Sequence, residues 1–201
     1  MAYSKKLLAQ LGKPQGLLGR LILRRLNRVN EGMNSRTLEL LALQNNDHIL
    51  EIGFGGGALI AEILAKGRCA RVAGVDISPL AVTQAQKRFR TDIAKGSVEF
   101  LQGGQSDLPY PESSFTKICC VNVIYFWTDL SSMLFEVFRV LKPEGILILS
   151  YAEGAPNKLA RFPAAEVEAK LAEIGFDNMC TVDGHDIENG TYHCTSAKKP
   201  N

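Results

Sequence analysis

Short apolar runs alternate with longer segments of helical periodicity along most of the chain after residue 45. Brief runs rich in isoleucine and valine are typical of buried strands, and apolar residues spaced three and four apart are typical of helices packed on a sheet. The pattern predicts strands at about 48–53, 71–76, 98–102, 117–122 and 145–151, and helices at about 57–66, 79–94 and 130–141. This alternating order indicates βαβ units with a parallel sheet.

The end of the chain follows a different pattern. After a loop that contains Gly154 and Pro156, it predicts a helix at 163–174 and two strands at about 178–182 and 191–197. The link between those strands is too short for a parallel crossover, so they must pair antiparallel. The predicted fold class is α/β, a Rossmann-like and mostly parallel seven-stranded sheet with helices on both faces, a C-terminal antiparallel hairpin and an N-terminal helical extension.

The pattern of apolar and basic positions over residues 1–45 predicts that helical extension. An apolar stripe is flanked by arginines, and its members are Leu17, Leu18, Leu21, Ile22 and Leu26. A further helix is expected to start after a cap at Asn34 or Ser35, following a break at Gly32. We therefore expect two units, a helical extension or lid over residues 1–45 packed on a core domain over residues 46–201.

Charge is distributed unevenly along the chain. The whole sequence carries +2, whereas residues 1–36 carry +7. The basic helix is compatible with two functions. It could contact a membrane surface, or it could form a lid whose arginines meet an anionic or lipid-like substrate. The alternative is that it covers the sheet and exposes a solvated basic face without a function of its own. Nucleic acid is not an expected partner, because the basic run lacks interleaved aromatic residues. The sequence does not indicate an oligomeric state.

Composition places the protein among soluble globular domains, with 46% apolar and 22% charged residues. No apolar run is long enough to cross a bilayer and no secretion signal is visible, so a cytoplasmic location is expected. The five cysteines are odd in number and show no C-x-x-C spacing, which favours reduced thiols. The spacing of His185, His193 and Cys194 is weak evidence for a metal, and none is expected.

The most informative segment runs from Glu51 to Gly57, where an apolar strand ends in a carboxylate and a glycine cluster that leads into a helix. Glycines permit a tight turn and a close approach of the main chain to a ligand, and a helix start presents free N–H groups. The segment predicts a ligand site. A purely structural turn and a dinucleotide site are the alternatives.

The second informative residue is Asp76, which ends the next predicted strand 23 residues after Gly53. A carboxylate at this place in an open α/β sheet can accept hydrogen bonds from the two hydroxyl groups of a ribose. The alternative is that Asp76 caps the following helix. Because Ser78 already offers a cap, the ribose role is favoured and a nucleoside is implied.

These residues together resemble the class I S-adenosylmethionine-dependent methyltransferases. Glu51-x-Gly53-x-Gly55-x-Gly57 and Asp76 match the family's first two motifs, and the segments 108–115 and 138–145 resemble its later ones. The resemblance implies S-adenosylmethionine as cofactor, with its methionine part near Glu51 and the glycines, and its ribose on Asp76 beside Ile77. Relatives often carry an acid for the adenine where this chain has Gly104. Gln105 or Ser106 could replace that contact, and Asp107 is less suited.

A nicotinamide dehydrogenase is the rival function for this architecture, because Gly53-x-Gly55-x-x-Ala58 also satisfies the dinucleotide pattern. Glu51 argues against it, since a negative charge beside the glycines suits an ammonium group better than a pyrophosphate. The chain also lacks a Tyr-x-x-x-Lys pair and a separate substrate domain.

The predicted fourth strand leads through Asn122 into three aromatic residues at the edge of the sheet where ligands bind. Resemblance places Asn122 near the reactive end of the cofactor. Tyr125 or Trp127 is expected to face the substrate and Phe126 to lie in the core, and Tyr151 at the end of the fifth strand has a similar claim to a substrate contact. Core packing under the next helix is the alternative for these aromatic residues.

Direct methyl transfer needs alignment more than a dedicated base, so no catalytic residue is assigned. The expected function is methylation of a small molecule, apolar or anionic. Methylation of nucleic acid or protein, the dehydrogenase and an inactive nucleoside-binding protein are the alternatives.

Overall fold

The computed structural model describes residues 5–69, 71–104, 107–152, 162–187 and 189–201. The described strands are β1 His48–Ile52, β2 Arg71–Asp76, β3 Val98–Gln102, β4 Phe115–Val121, β5 Leu141–Ala152, β6 Asp177–Asp186 and β7 Gly190–Lys198. The described helices are α1 Lys5–Gly12, α2 Gly16–Val29, α3 Glu31–Leu41, α4 Ala58–Lys66, α5 Pro79–Arg88, α6 Arg90–Ala94, α7 Leu130–Val140 and α8 Ala164–Ile174. A short 3₁₀ turn spans Ile124–Phe126.

The strands form one sheet of seven in the order β3-β2-β1-β4-β5-β7-β6. The first five of these pair parallel, and β7 pairs antiparallel with both β5 and β6. The predicted fold class is confirmed, including the reversed hairpin. The strand order changes direction between β1 and β4, and open α/β sheets bind ligands at the carboxyl ends of the strands at such a point.

Helices cover both faces because neighbouring side chains of each buried strand point to opposite sides. On β1, Leu50 and Ile52 pack in the core under α7 and α8, whereas Ile49 packs in the core under α3, α4 and α5. On β4, Ile118 packs in the core under α7 and α8, and Cys119 packs in the core under α3, α4 and α5. Such two-sided burial explains why these strands appear in the sequence as near-continuous apolar runs.

The N-terminal helices differ in one respect from the prediction. The break between α2 and α3 falls at Asn30, and α3 already begins at Glu31, so the predicted start after Asn34 or Ser35 is wrong. Gly32 lies inside α3, and a Cβ atom there would come within 2.9 Å of Asp186 Oδ2. This glycine permits close packing of α3 against the β6–β7 hairpin. The sequence alone does not distinguish a glycine needed for close packing from a glycine that ends a helix.

A second difference concerns the helix expected at 79–94, which is divided at Phe89 into α5 and α6. The predicted loop with Gly154 and Pro156 lies outside the described residues. Within the described ranges, no helix has the length and apolar character needed to cross a bilayer.

A buried ion pair joins the start of β1 to the start of β4. Lys117 Nζ lies 2.6 Å from Asp47 Oδ2, and both side chains are more than nine-tenths buried. Lys117 also donates to the Ala42 carbonyl at 2.9 Å, and Asp47 accepts from Thr116 Oγ1 at 2.9 Å and the Gln44 N–H at 2.7 Å. The pair therefore links the segment between α3 and β1 to the amino ends of the two central strands, β1 and β4.

Candidate functional site

A cavity of about 470 Å³ lies at the carboxyl ends of the central strands. Its volume is in the range of small-molecule sites, about 300–1,000 Å³. Most of the predicted site residues line it, and those are Glu51, Gly53, Gly55, Asp76, Ile77, Asn122, Tyr125 and Trp127. The topology thus brings side chains from β1, β2 and the end of β4 to one place.

Glu51 is the fourth residue of β1 and is 4% exposed. Burial, with a smaller contribution from the nearby Asp76 carboxylate, raises the pKa of Glu51 to about 8. Its Oε2 atom has no hydrogen-bond partner among the described residues. A buried carboxylate with one unpartnered oxygen favours a cationic group as its ligand.

Asp76 holds the glycine turn in place. Its Oδ2 accepts the Gly55 N–H at 2.8 Å, and its Oδ1 accepts the Ser78 N–H at 2.8 Å. Burial raises the pKa of Asp76, and these two backbone donors act in the opposite direction. Ser78 Oγ accepts from the Ala81 N–H at 3.2 Å, so Ser78 is the cap of α5 as expected. Asp76 does not cap α5, and its remaining lone pairs are available to a ligand.

The other predicted contacts are at Gly57, Gln105 and Ser106. Gly57 precedes α4 with φ of 68° and shapes the turn without lining the cavity. Gln105 and Ser106 lie outside the described residues. Gly104 does line the cavity, with φ of 99°, and a Cβ there would lie 3.0 Å from Val75 Cγ1. An acidic side chain at position 104 would be strained, which explains the departure from the family pattern.

All three aromatic residues after β4 line the cavity. Tyr125 and Trp127 line the cavity, and so does Phe126, which we expected in the core and which packs on Gly12. Tyr151 is fully buried and is not among the cavity residues, because alternation along β5 points it toward the α8 side of the sheet. Its hydroxyl lies 3.4 Å from Thr195 Oγ1. The structure places Tyr151 in the apolar core that contains Trp127 and against which Tyr125 packs, but not in the cavity wall.

The other wall of the cavity consists of residues that the sequence did not single out for the site. It comes from the N-terminal helices and includes Ile22, Leu23, Leu26, Val29, Asn27, Asn30 and Asn34. The wall is anchored where Ser78 Oγ donates to the Pro14 carbonyl at 2.7 Å. Asn27 lies so close to the glycine turn that a Cβ on Gly56 would come within 2.1 Å of Asn27 Oδ1.

Asparagine side chains from three separated segments meet beside the cavity. Asn122 has φ of 57°, a left-handed conformation that asparagine tolerates. Its Nδ2 donates to Asn30 Oδ1 at 3.0 Å and to Asn189 Oδ1 at 3.4 Å. Asn189 Nδ2 in turn donates to the Val29 carbonyl at 2.7 Å. Both amide hydrogens of Asn122 are used, so its oxygen is the atom left to accept from a ligand.

Nothing in the described residues forms a cluster of three metal-ligating side chains. His193, considered above for a metal, has Nδ1 at 2.7 Å from Asp183 Oδ1 across the β6–β7 hairpin.

Comparison with known proteins adds independent evidence. The family described as "Methyltransferase domain" matches residues 50–149, about half of the chain. The methyltransferase YdaC of Bacillus subtilis is 28% identical over 85% of this chain and 93% of its own length. The erythromycin 3''-O-methyltransferase of Saccharopolyspora erythraea is 27% identical over 87% of this chain, which spans 55% of that relative.

Among solved structures, a SAM-dependent methyltransferase from Aquifex aeolicus superposes with a TM-score of 0.67 at 18% identity, covering 82% of this chain and 88% of that one. This likeness shows a shared fold. The matched family segment contains Glu51, the glycine turn, Asp76 and Asn122, the residues that the structure gathers around the cavity. The resemblance in the sequence is confirmed: the chain belongs to the class I S-adenosylmethionine-dependent methyltransferases.

Proposed function

We propose that the chain transfers the methyl group of S-adenosylmethionine to a small molecule, apolar or anionic, that binds between the sheet edge and the N-terminal helices. The observation that carries this proposal is the covered cavity, whose wall on the side of α2 combines apolar and amide side chains with Arg25. A nucleic-acid or protein segment needs an open groove, whereas a covered cavity of about 470 Å³ suits a small molecule. The erythromycin methyltransferase among the relatives acts on a small molecule.

The residues present fit the cofactor. Glu51, buried and with one unpartnered oxygen, suits the ammonium group of the methionine part. Asp76 suits the ribose hydroxyls, and the main chain at Gly53 and Gly55 allows close approach. When bound, S-adenosylmethionine supplies a methyl group activated by attachment to a positively charged sulfur.

The side chains of the cavity then have defined roles. Tyr125, Phe126 and Trp127 form an apolar wall that excludes water and orients the acceptor, and their faces favour a cationic methyl centre. Asn122, held by Asn30 and Asn189, offers one oxygen acceptor near the strand end. Alignment of this kind can contribute about 7–11 kcal/mol to the reaction.

The side chains that line the cavity also limit which acceptor groups can be methylated there. Among the described residues, the cavity contains no histidine or cysteine, and its carboxylates are Glu51 and Asp76, which we assign to the cofactor. The described residues therefore place no histidine, cysteine or further carboxylate on the acceptor side as a general base. We infer an acceptor that needs no strong base, such as a carboxylate, a phenolate or an amine. Lys13, which lines the cavity, favours an anionic one.

We further propose that residues 1–45 act as the lid of this cavity and residues 46–201 as the methyltransferase domain. In support, α2 contributes Ile22 and Leu23 to the cavity wall, and the α1–α2 connection is tied to Ser78. Opening the cavity would require this connection to move.

The acceptor class is tested by supplying methyl-labelled S-adenosylmethionine and the purified chain to a cell extract separated into small molecules, RNA and protein. We expect the label in the small-molecule fraction. Label found in the RNA or protein fraction instead would refute the small-molecule proposal and leave the family assignment intact. A chain with Glu51→Ala and Asp76→Ala serves as the blank.

The role of Glu51 predicts a pH-dependent affinity. In the free protein its pKa is raised to about 8, so the group is mostly protonated at pH 6.5 and must lose its proton to pair with a cation. We expect the association constant for S-adenosylmethionine to rise by about tenfold per pH unit from pH 6 to 7.5 and to level off above pH 8. Calorimetry in two buffers of different ionisation enthalpy would measure the proton release.

Glu51→Gln is the matched control for this profile. The variant keeps the shape of the side chain and cannot ionise, so its affinity should be lower and should vary little over the same pH range. An unchanged slope in Glu51→Gln would show that another group releases the proton.

A further inference from the structure

The outer face of α2 carries three leucines whose side chains are exposed. Leu17 is 78% exposed, Leu21 is 62% exposed and Leu18 is 45% exposed. They occupy the first half of the helix, where Leu17 and Leu21 point away from the buried Leu23 and Leu18 borders the buried Ile22. Single exposed leucines are common on protein surfaces, but three within five residues of one helix form a patch.

Arginines continue the same surface. Arg20, Arg24 and Arg28 follow at four-residue intervals and are exposed, so they lie in a row along the helix. The sequence from Lys13 to Asn30 contains no acidic residue. We call this surface, formed by Leu17, Leu18, Leu21, Arg20, Arg24 and Arg28, the α2 face.

A groove between α2 and α5 extends the positive charge. Arg24, Lys87 and Arg88 line it together with Asn27 and Gln84, and no carboxylate lines it. Arg88 is fixed there because its Nη1 donates to the Gly56 carbonyl at 2.8 Å. Three cations around one groove of about 430 Å³ repel one another, which favours an anionic group between them.

We propose that the α2 face docks the protein on an anionic lipid bilayer, with the leucines in the interface and the arginines and the α2–α5 groove against lipid phosphates. Helices with leucines and arginines in this arrangement lie in the plane of a membrane surface. A second copy of the chain is a poorer partner, because two such faces would bring their arginines together. Nucleic acid is poorer because it leaves the leucines exposed.

The proposal goes beyond the methyl transfer and does not depend on it. It has a consequence for the site, since the inner side of α2 forms a wall of the cavity while its outer side would contact lipid. Docking would then place the lid at the membrane surface, where apolar acceptors collect.

The test uses the full chain and sedimentation with vesicles. One set of vesicles contains phosphatidylcholine alone, and the other contains phosphatidylcholine with phosphatidylglycerol. We expect binding to the anionic vesicles only, and weaker binding as salt is raised, because exposed charges are screened. Equal binding to both sets, or no binding to either, would overturn the proposal.

Variants separate the two parts of the α2 face. Arg20→Gln with Arg24→Gln and Arg28→Gln should lower the partition coefficient by about 100-fold, and Leu17→Asn with Leu18→Asn and Leu21→Asn by at least about tenfold. The matched control neutralises three exposed cations near the amino ends of the strands, Arg68→Gln, Lys95→Gln and Lys142→Gln. Its partition coefficient should change by less than about threefold.

Affinity for S-adenosylmethionine and thermal unfolding would verify that each variant is folded, since none of the substituted residues lines the main cavity. An equal loss in the control would mean that net charge alone drives binding, and the α2 face would lose its assigned role. Concentration-dependent dimers that disappear in the leucine variant would identify a second copy as the partner. Tight RNA binding lost in the arginine variant would identify nucleic acid.

Discussion

Asp76→Ala should weaken the binding of S-adenosylmethionine by about 100-fold or more. The carboxylate holds the Gly55 and Ser78 N–H groups at 2.8 Å each and retains lone pairs for the ribose of the cofactor. Hydrogen bonds to a charged group contribute about 1.5–3 kcal/mol each, so the loss of two ribose contacts accounts for a change of this size. Isothermal titration of the folded variant would measure it.

Two comparisons distinguish a ribose contact from a disturbed turn. Asp76→Asn keeps one acceptor oxygen and should fall between wild type and Asp76→Ala. A 2′-deoxy analogue of the cofactor should lose less affinity on Asp76→Ala than the parent compound does, because one of the contacts is already absent. Equal losses for both compounds would assign Asp76 to shaping the glycine turn alone.

Asp47→Ala should lower the free energy of unfolding by about 3–5 kcal/mol, because it leaves the buried Lys117 ammonium with no counter-charge. Of the two groups that Lys117 Nζ contacts in the described structure, only the Ala42 carbonyl would still accept a hydrogen bond. The expected fall in Tm is roughly 6–20 °C for a chain of this size. Urea unfolding and a thermal scan would measure the two quantities.

The matched control is the exposed pair of Lys170 and Glu173, which lie 2.7 Å apart with their side chains about half exposed. Glu173→Ala should cost less than about 1 kcal/mol. The double change Asp47→Leu with Lys117→Met should recover much of the loss, since it removes both charges. If Asp47→Ala cost no more than Glu173→Ala, the buried pair would not stabilise the fold.

The parallel strands and their order of appearance were predictable because burial on both faces leaves a clear apolar run. Glu51 and Asp76 were predictable for the opposite reason, since each is a carboxylate at the end of such a run. The reversed hairpin followed from the short link between its strands. All of these signals lie within a few neighbouring residues.

What the sequence did not show depends on contacts between distant segments. Gly32 appeared to break a helix because nothing nearby indicates that Asp186 packs against it. Tyr151 appeared to face the site because a one-residue difference along a strand decides which side of the sheet a side chain occupies. The meeting of Asn30, Asn122 and Asn189 joins positions up to 159 residues apart and leaves no local pattern.

One half of the cavity is lined by residues that are close together in the chain, and the other half by residues that are far apart in it. The half assigned to the cofactor comes from the first two strands and the turn that follows β1, close together in the chain. The opposite half comes from the N-terminal helices, the aromatic residues after β4 and Asn189 at the hairpin, so distant parts of the chain contribute to it. We therefore expect substitutions in the N-terminal helices or at Asn189 to change which acceptor is bound while the donor contacts proposed for Glu51 and Asp76 stay unchanged.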